Sequence, residues 1–239
     1  MLENEKISEY KNSVIDLISK KGENSTTTML DLSVFTLYTE MCDKAMDIML
    51  LAKEKRYSSI PILARSFLEQ AASLKFLLKE DQERRGSAYM YGARYKDIRN
   101  IQNLHDDFSD RKKADLFLKK IRDDFSKEGY DSYDDWTTDM QNKYFELFVE
   151  KARPRKWFNI NGDCSSILDL FDKVGMLDEY RTYYNLYSAV THGSDIMQNL
   201  SIKVGQVEIN YRYDDEKTTQ LLNKYLLELQ QICFKYYQK

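Results

Sequence analysis

Apolar residues return every three to four positions along most of this chain, the period of a helix with one buried face. Ile7, Val14, Ile15, Leu17 and Ile18 stand among charges and predict a first amphipathic helix that Gly22 ends. The run Ser25-Thr26-Thr27-Thr28 supplies capping hydroxyls for a second, carried by Leu30, Val34, Leu37, Met41, Met46 and Leu50 to about Lys55. Ser59-Ile60-Pro61 opens a third, to about Asp81, with proline in the first turn. A fourth covers Gln82 to Leu104, where Gly86 and Gly92 predict a kink or break. Helical spacing resumes over 111–127, 135–152, 165–174, 177–191 and 214–237, with closures at Gly175 and at His192-Gly193.

One segment has a different period. Between Ser201 and Tyr213, Ile202, Val204, Val207, Ile209, Tyr211 and Tyr213 alternate with polar residues around Gly205-Gln206, predicting a small β-hairpin. No internal repeat, low-complexity stretch or linker is visible. The expected fold is all-α, a bundle of about seven or eight helices with a minor hairpin near the C-terminus, in a single helical domain over 1–239.

Composition narrows the picture. With 8 glycines and 2 prolines in 239 residues, a Gly-rich phosphate loop and a turn-rich β-sandwich are both poor fits. Cys42, Cys164 and Cys233 show no C-x-x-C spacing, so a reducing, cytoplasmic setting is expected. The polar start Met1-Leu2-Glu3-Asn4-Glu5-Lys6 does not read as an export signal, and the apolar stretch from Ala45 to Ala52 is too short to span a bilayer. A net charge of -3 offers polyanions no global attraction, so any nucleic-acid binding must come from a local patch.

Two helices carry candidate chemistry. Ile60 to Lys79 is apolar nearly all round, and Arg65 and Glu69, four residues apart on it, can meet. Such a pair either fixes helix register or, with a third group, builds a site. From Leu177 onward, Arg181, Asn185, Ser188 and His192 fall on one polar stripe, with Tyr180, Tyr184, Tyr187 and Thr191 beside it. A histidine exchanges protons near neutrality, and neighbouring Arg and Ser can hold a phosphate; a helix C-terminal cap is the blander reading of His192. His105 reads as structural, at a helix end. Two histidines exclude a His-rich metal centre, leaving His192 with Asp195 as the one weak metal alternative.

Two basic clusters add a nucleic-acid signal. Lys151, Arg153, Arg155 and Lys156 run without an intervening acid into Trp157-Phe158, a pattern suited to tracking phosphates and stacking a base. Arg84, Arg85, Arg94, Lys96 and Arg99 share the fourth helix. A solvated helix face and a basic connecting loop are the alternative. The 18 tyrosines suit stacking, packing or self-association equally.

Arg65-x3-Glu69 on an apolar helix, followed by Trp157, Ser165-Ser166-Ile167, Gly175, Tyr180, Tyr184, Ser188 and His192-Gly193, resembles a bacterial domain family of unknown function. The resemblance spans roughly Leu30 to Gly193 and implies an α-helical bundle met among mobile-element and phage-defence genes. More remotely, the polar stripe is similar to the nucleotide-binding helical fold of prokaryotic toxins and abortive-infection proteins, many of them metal-independent ribonucleases. Those place an Arg four to six residues before the His. Here Arg181 precedes His192 by eleven, about 16 Å along a helix, so a shared phosphate requires Arg65 from another helix or a second copy of the chain.

The expected function is a cytosolic bacterial defence or stress-response protein with a polar pocket for a phosphate-bearing ligand, its catalytic form a metal-independent ribonuclease. His192 would be the acid–base, Arg65 or Arg181 would stabilise developing charge and Glu69 would orient Arg65. Ser188, Asn185, Tyr184 and Trp157 would line the ligand site. RNA or a nucleotide is the expected partner and a homodimer the expected assembly, with no cofactor, metal or membrane. The rival is a non-enzymatic interaction or self-associating module in which the Arg, Glu and His residues are structural.

Overall fold

The computed structural model describes residues 2–107, 112, 115, 116, 119, 129–152, 155–191, 200–203, 206–209 and 214–238. In chain order its helices are α1 (Asn4–Asn24), α2 (Met29–Lys53), α3 (Ile60–Lys79), α4 (Gln82–Asp107), α5 (Tyr133–Glu146), α6 (Ile167–Lys173), α7 (Leu177–Glu179), α8 (Asn185–Thr191) and α9 (Asp215–Tyr237). A π-helical turn, Tyr180–Tyr184, joins α7 to α8. The single domain expected over 1–239 resolves into two compact units, residues 1–82 with 166–239 and residues 83–165.

In the first unit, α3 packs against α2, α8 and α9, and α1 against α2 and α9. Phe67, Leu68, Leu74 and Leu77 of α3 are buried, as an all-round apolar helix requires. Helix α1 passes through Gly22, which the periodicity read as its end, and stops at Ser25, whose N–H and hydroxyl both bond back to the Lys21 carbonyl. The Thr28 hydroxyl caps α2 by accepting from the Asp31 N–H, while Asp31 accepts from the Thr28 N–H, a reciprocal capping box. Asp31 is buried and also accepts from Lys21 Nζ at 2.8 Å and the Tyr237 hydroxyl at 2.9 Å, so one carboxylate ties α1, α2 and α9 together. Burial works to raise its pKa, but Lys21, the Thr28 N–H and Tyr237 outweigh that and hold it below the usual carboxylate value. Cys42, Cys164 and Cys233 are buried free thiols. Burial pushes Cys42 and Cys233 up to about 12, which leaves neither as a neutral-pH nucleophile.

In the second unit, Ile98 of α4 packs with Trp136 and Met140 of α5 beneath Tyr91, Tyr130 and Tyr133. Helix α4 is continuous through Gly86 and Gly92, where a kink or break was expected. Helix α5 opens two residues earlier than the periodicity indicated, capped by Ser132, and ends at Glu146 rather than near Ala152. The chain that follows is pinned by Arg84, whose guanidinium donates to the Leu147 carbonyl and to Asn161, and by a Val149 N–H to Ile160 carbonyl bond. Most of the helix expected over 111–127 lies outside the described residues, as does the closure at His192-Gly193.

The all-α class stands, and the expected hairpin is a correction to it. The strand pairing is four rungs between Leu200–Lys203 and Gln206–Ile209, with no third strand among the described residues. Residues 210–213, including Tyr211 and Tyr213, lie outside them. Period-two alternation misled because it marks a half-buried strand only where a wider sheet exists to bury one face; a two-stranded ribbon adds no layer to a helical fold.

Candidate functional site

Arg65 and Glu69 stand one turn apart on α3, and Arg65 Nε donates to Glu69 Oε1 at 3.1 Å. The rest of the guanidinium reaches across to the segment after α6. One terminal nitrogen donates to the Tyr184 hydroxyl at 2.9 Å and the other to Ser188 Oγ at 3.3 Å. Tyr184 in turn donates to Glu69 Oε1 at 2.7 Å, closing a ring of three side chains with Ser188 attached through Arg65. Tyr184 is 5% exposed, while the Arg65 and Glu69 side chains are 23% and 38% exposed, so the cluster has one wet side.

The π-turn explains how Tyr184 arrives there. Its wider i→i+5 closure brings residues four apart nearly into line, so the Tyr180 and Tyr184 rings stack at 4.9 Å and both rest on Phe171. Burial, then the Glu69 carboxylate that accepts its proton, push Tyr184 up to about 12, so it is a neutral donor at physiological pH. The cluster pairs one cation with one carboxylate. An anion entering it would meet Glu69 as well as Arg65.

The structure thus joins Arg65, Glu69, Tyr184 and Ser188; of these, only the meeting of Arg65 with Glu69 follows from their spacing. It does not bring in Arg181 or Asn185, which are exposed and take no part in the cluster. Arg181 lies within the π-turn, whose extra residue shifts it relative to an ideal 100° projection. His192 lies outside the described residues, and Trp157 belongs to the second unit.

Trp157 lines a different feature, a cleft of about 340 Å³ within residues 83–165. One wall is the α4 face formed by Gly92, Tyr95, Lys96, Arg99, Asn100 and Asn103. The other is the 155–158 segment, with Tyr144 at the base. The Tyr144 hydroxyl donates to the Arg155 carbonyl at 3.0 Å and fixes that segment beside α5, while its ring stacks on Tyr95 at 5.3 Å. Gly92 permits the approach: a Cβ there would lie 3.1 Å from Trp157 Cβ and 3.2 Å from the Tyr144 ring. Lys96, Arg99, Arg155 and Lys156 are exposed cations around the opening, and no carboxylate is among the described lining residues. Arg155 lies 4.4 Å from the Phe145 ring centroid, a contact that orients its charge without neutralising it.

Lys96 and Arg99 from one of the basic clusters in the sequence and Arg155 and Lys156 from the other therefore line one cleft. Tyr95, Asn100, Asn103 and Tyr144 were not singled out, although positions 92, 95, 96, 99, 100 and 103 form a helical face with the i, i+3, i+4, i+7 rhythm. Among the described residues no group of histidine, cysteine and carboxylate side chains is arranged to hold a metal, and no helix is long and apolar enough to cross a membrane.

No curated protein and no solved structure matches the chain. Residues 31–206 match the family of unknown function DUF5677, close to the span over which the family resemblance was read, and the chain belongs to that family.

Proposed function

We propose that this protein binds a phosphate-bearing ligand in the basic cleft of residues 83–165, and that the Arg65 cluster braces the helical fold. The observation that carries the reading is the charge of the lining: Lys96, Arg99, Arg155 and Lys156 face one opening with no lining carboxylate among the described residues. Four like charges gathered without compensation destabilise a surface unless an anion relieves them. The Arg65 cluster has the opposite character, because Glu69 already balances its cation and Tyr184 and Ser188 occupy its donors.

Titration with tripolyphosphate tests this directly. The Arg99→Glu/Arg155→Glu variant is expected to bind at least tenfold more weakly than the parent, and an unchanged affinity would refute the cleft as the site. The catalytic form of the reading, metal-independent RNA cleavage in a defence role, is supported by the family resemblance and the polar helix stripe alone. Its test is induction of the parent chain and of His192→Ala in a bacterial host with total RNA compared. Cleavage that disappears in a folded His192→Ala protein supports it, and cleavage that persists removes His192 from the chemistry.

A further inference from the structure

The composition of the cleft walls says more about the ligand than its charge does. A site for inorganic phosphate or a duplex backbone needs cations and polar donors; it has no use for aromatic side chains. Here Tyr95 and Trp157 stand in the lining beside the cations, and unlike Tyr144 and Phe158, which are buried, both are only partly covered. Asn100 and Asn103 are exposed on the same α4 face and offer both a donor and an acceptor, the pair that base edges require. A volume of about 340 Å³ sits at the small end of ligand pockets, the scale of one nucleotide unit and far below a double helix.

From this juxtaposition we infer that the cleft takes one unstacked nucleotide of a single-stranded nucleic acid, its base against Trp157 and Tyr95 and its flanking phosphates on Lys96, Arg99, Arg155 and Lys156. This rests on the phosphate-binding reading of the same cleft and adds a requirement for an accessible base. In a duplex the base faces are occupied by their neighbours, so the aromatic wall would gain nothing; in a single strand every base has a free face, and stacking on an aromatic side chain tolerates any sequence. A net charge of -3 confines the attraction to this patch.

The experiment uses the full chain and three probes: a fluorescein-labelled 12-nucleotide oligouridylate, the same strand annealed to its complement, and tripolyphosphate. The single strand is expected to bind at least tenfold tighter than the duplex. Trp157→Leu is expected to weaken the single strand about tenfold while leaving tripolyphosphate unchanged, and Trp157→Phe, which keeps an aromatic face, to retain most of the affinity. Tyr95→Leu provides a second variant should Trp157→Leu fail to fold, as judged by its circular dichroism and melting curve. Equal binding of strand and duplex, or a single-strand affinity indifferent to both leucine variants, overturns the inference while leaving the phosphate site intact. If Arg99→Glu/Arg155→Glu changes the binding of none of the three probes, the phosphate reading itself fails.

Discussion

At the scale of single residues, the two polar clusters of the first unit are held by different physics. Tyr184 makes two hydrogen bonds from a buried position, one of them to a carboxylate, so Tyr184→Phe is expected to destabilise the protein by about 1–2 kcal/mol, measured as a shift of the urea midpoint. Its raised folded pKa sets the sign with pH: the contribution is whole below the ordinary tyrosine value of 10.0 and drains away as pH rises through about 12. Asp31 behaves in reverse. Its folded pKa is depressed, so its contribution is whole above the ordinary aspartate value of 3.8 and is lost as pH falls through the lower folded value. Asp31→Asn should therefore cost about 2 kcal/mol at neutral pH, because it breaks a buried pair whose Lys21 partner is partly solvated. Denaturant curves of parent and variant should converge in acid; a gap that stays constant with pH would show that the charge is not what Asp31 contributes. Arg65-x3-Glu69 was legible in the sequence because i, i+4 geometry is local, whereas the Tyr184 link was not, because it spans more than a hundred residues.

At the scale of elements, α4 carries the most informative departure from pattern. Glycine costs a helix about 1 kcal/mol relative to alanine, so Gly92 in mid-helix looked like a weak point. It lies instead where Trp157 and Tyr144 press against the backbone, and the packing there requires the missing side chain. Gly92→Ala is expected to be destabilising by about 1 kcal/mol overall, an overpacking cost of roughly 1–3 kcal/mol partly offset by better helix propensity. It should also weaken tripolyphosphate binding by displacing the 155–158 segment. A more stable variant with unchanged binding would show that the cleft does not depend on this approach. The π-turn at Tyr180–Tyr184 is the other departure, since a projection at 100° per residue has no means of registering an inserted residue and so grouped Arg181 with Ser188. The hairpin expectation needed correction for a related reason: alternation describes a strand's own faces and is silent on whether a sheet exists to receive them, and the pairing described is four rungs long.

At the scale of the whole molecule, the chain carries a net charge of -3 yet gathers four uncompensated cations at one opening. Polyanion binding through such a patch should be salt-dependent. With about two phosphates flanking the bound nucleotide and a coefficient of roughly 0.7 per phosphate for a single strand, log affinity should fall with log salt with a slope of about -1.4. A slope near zero would mean that the contacts are not ionic. By itself the sequence determined the helical class, most helix starts, the capping role of the run ending at Thr28 and the Arg65 to Glu69 contact. Each of these depends on periodicity or on neighbours within one turn, and such information is written locally in the chain. Only the tertiary structure decided that the chain divides into two units, that Tyr184 and Ser188 complete the Arg65 cluster, and that basic residues more than fifty positions apart on α4 and on the 155–158 segment face one cleft. Those outcomes depend on which distant surfaces pack together, and side-chain periodicity specifies that a face is buried without naming the surface that buries it.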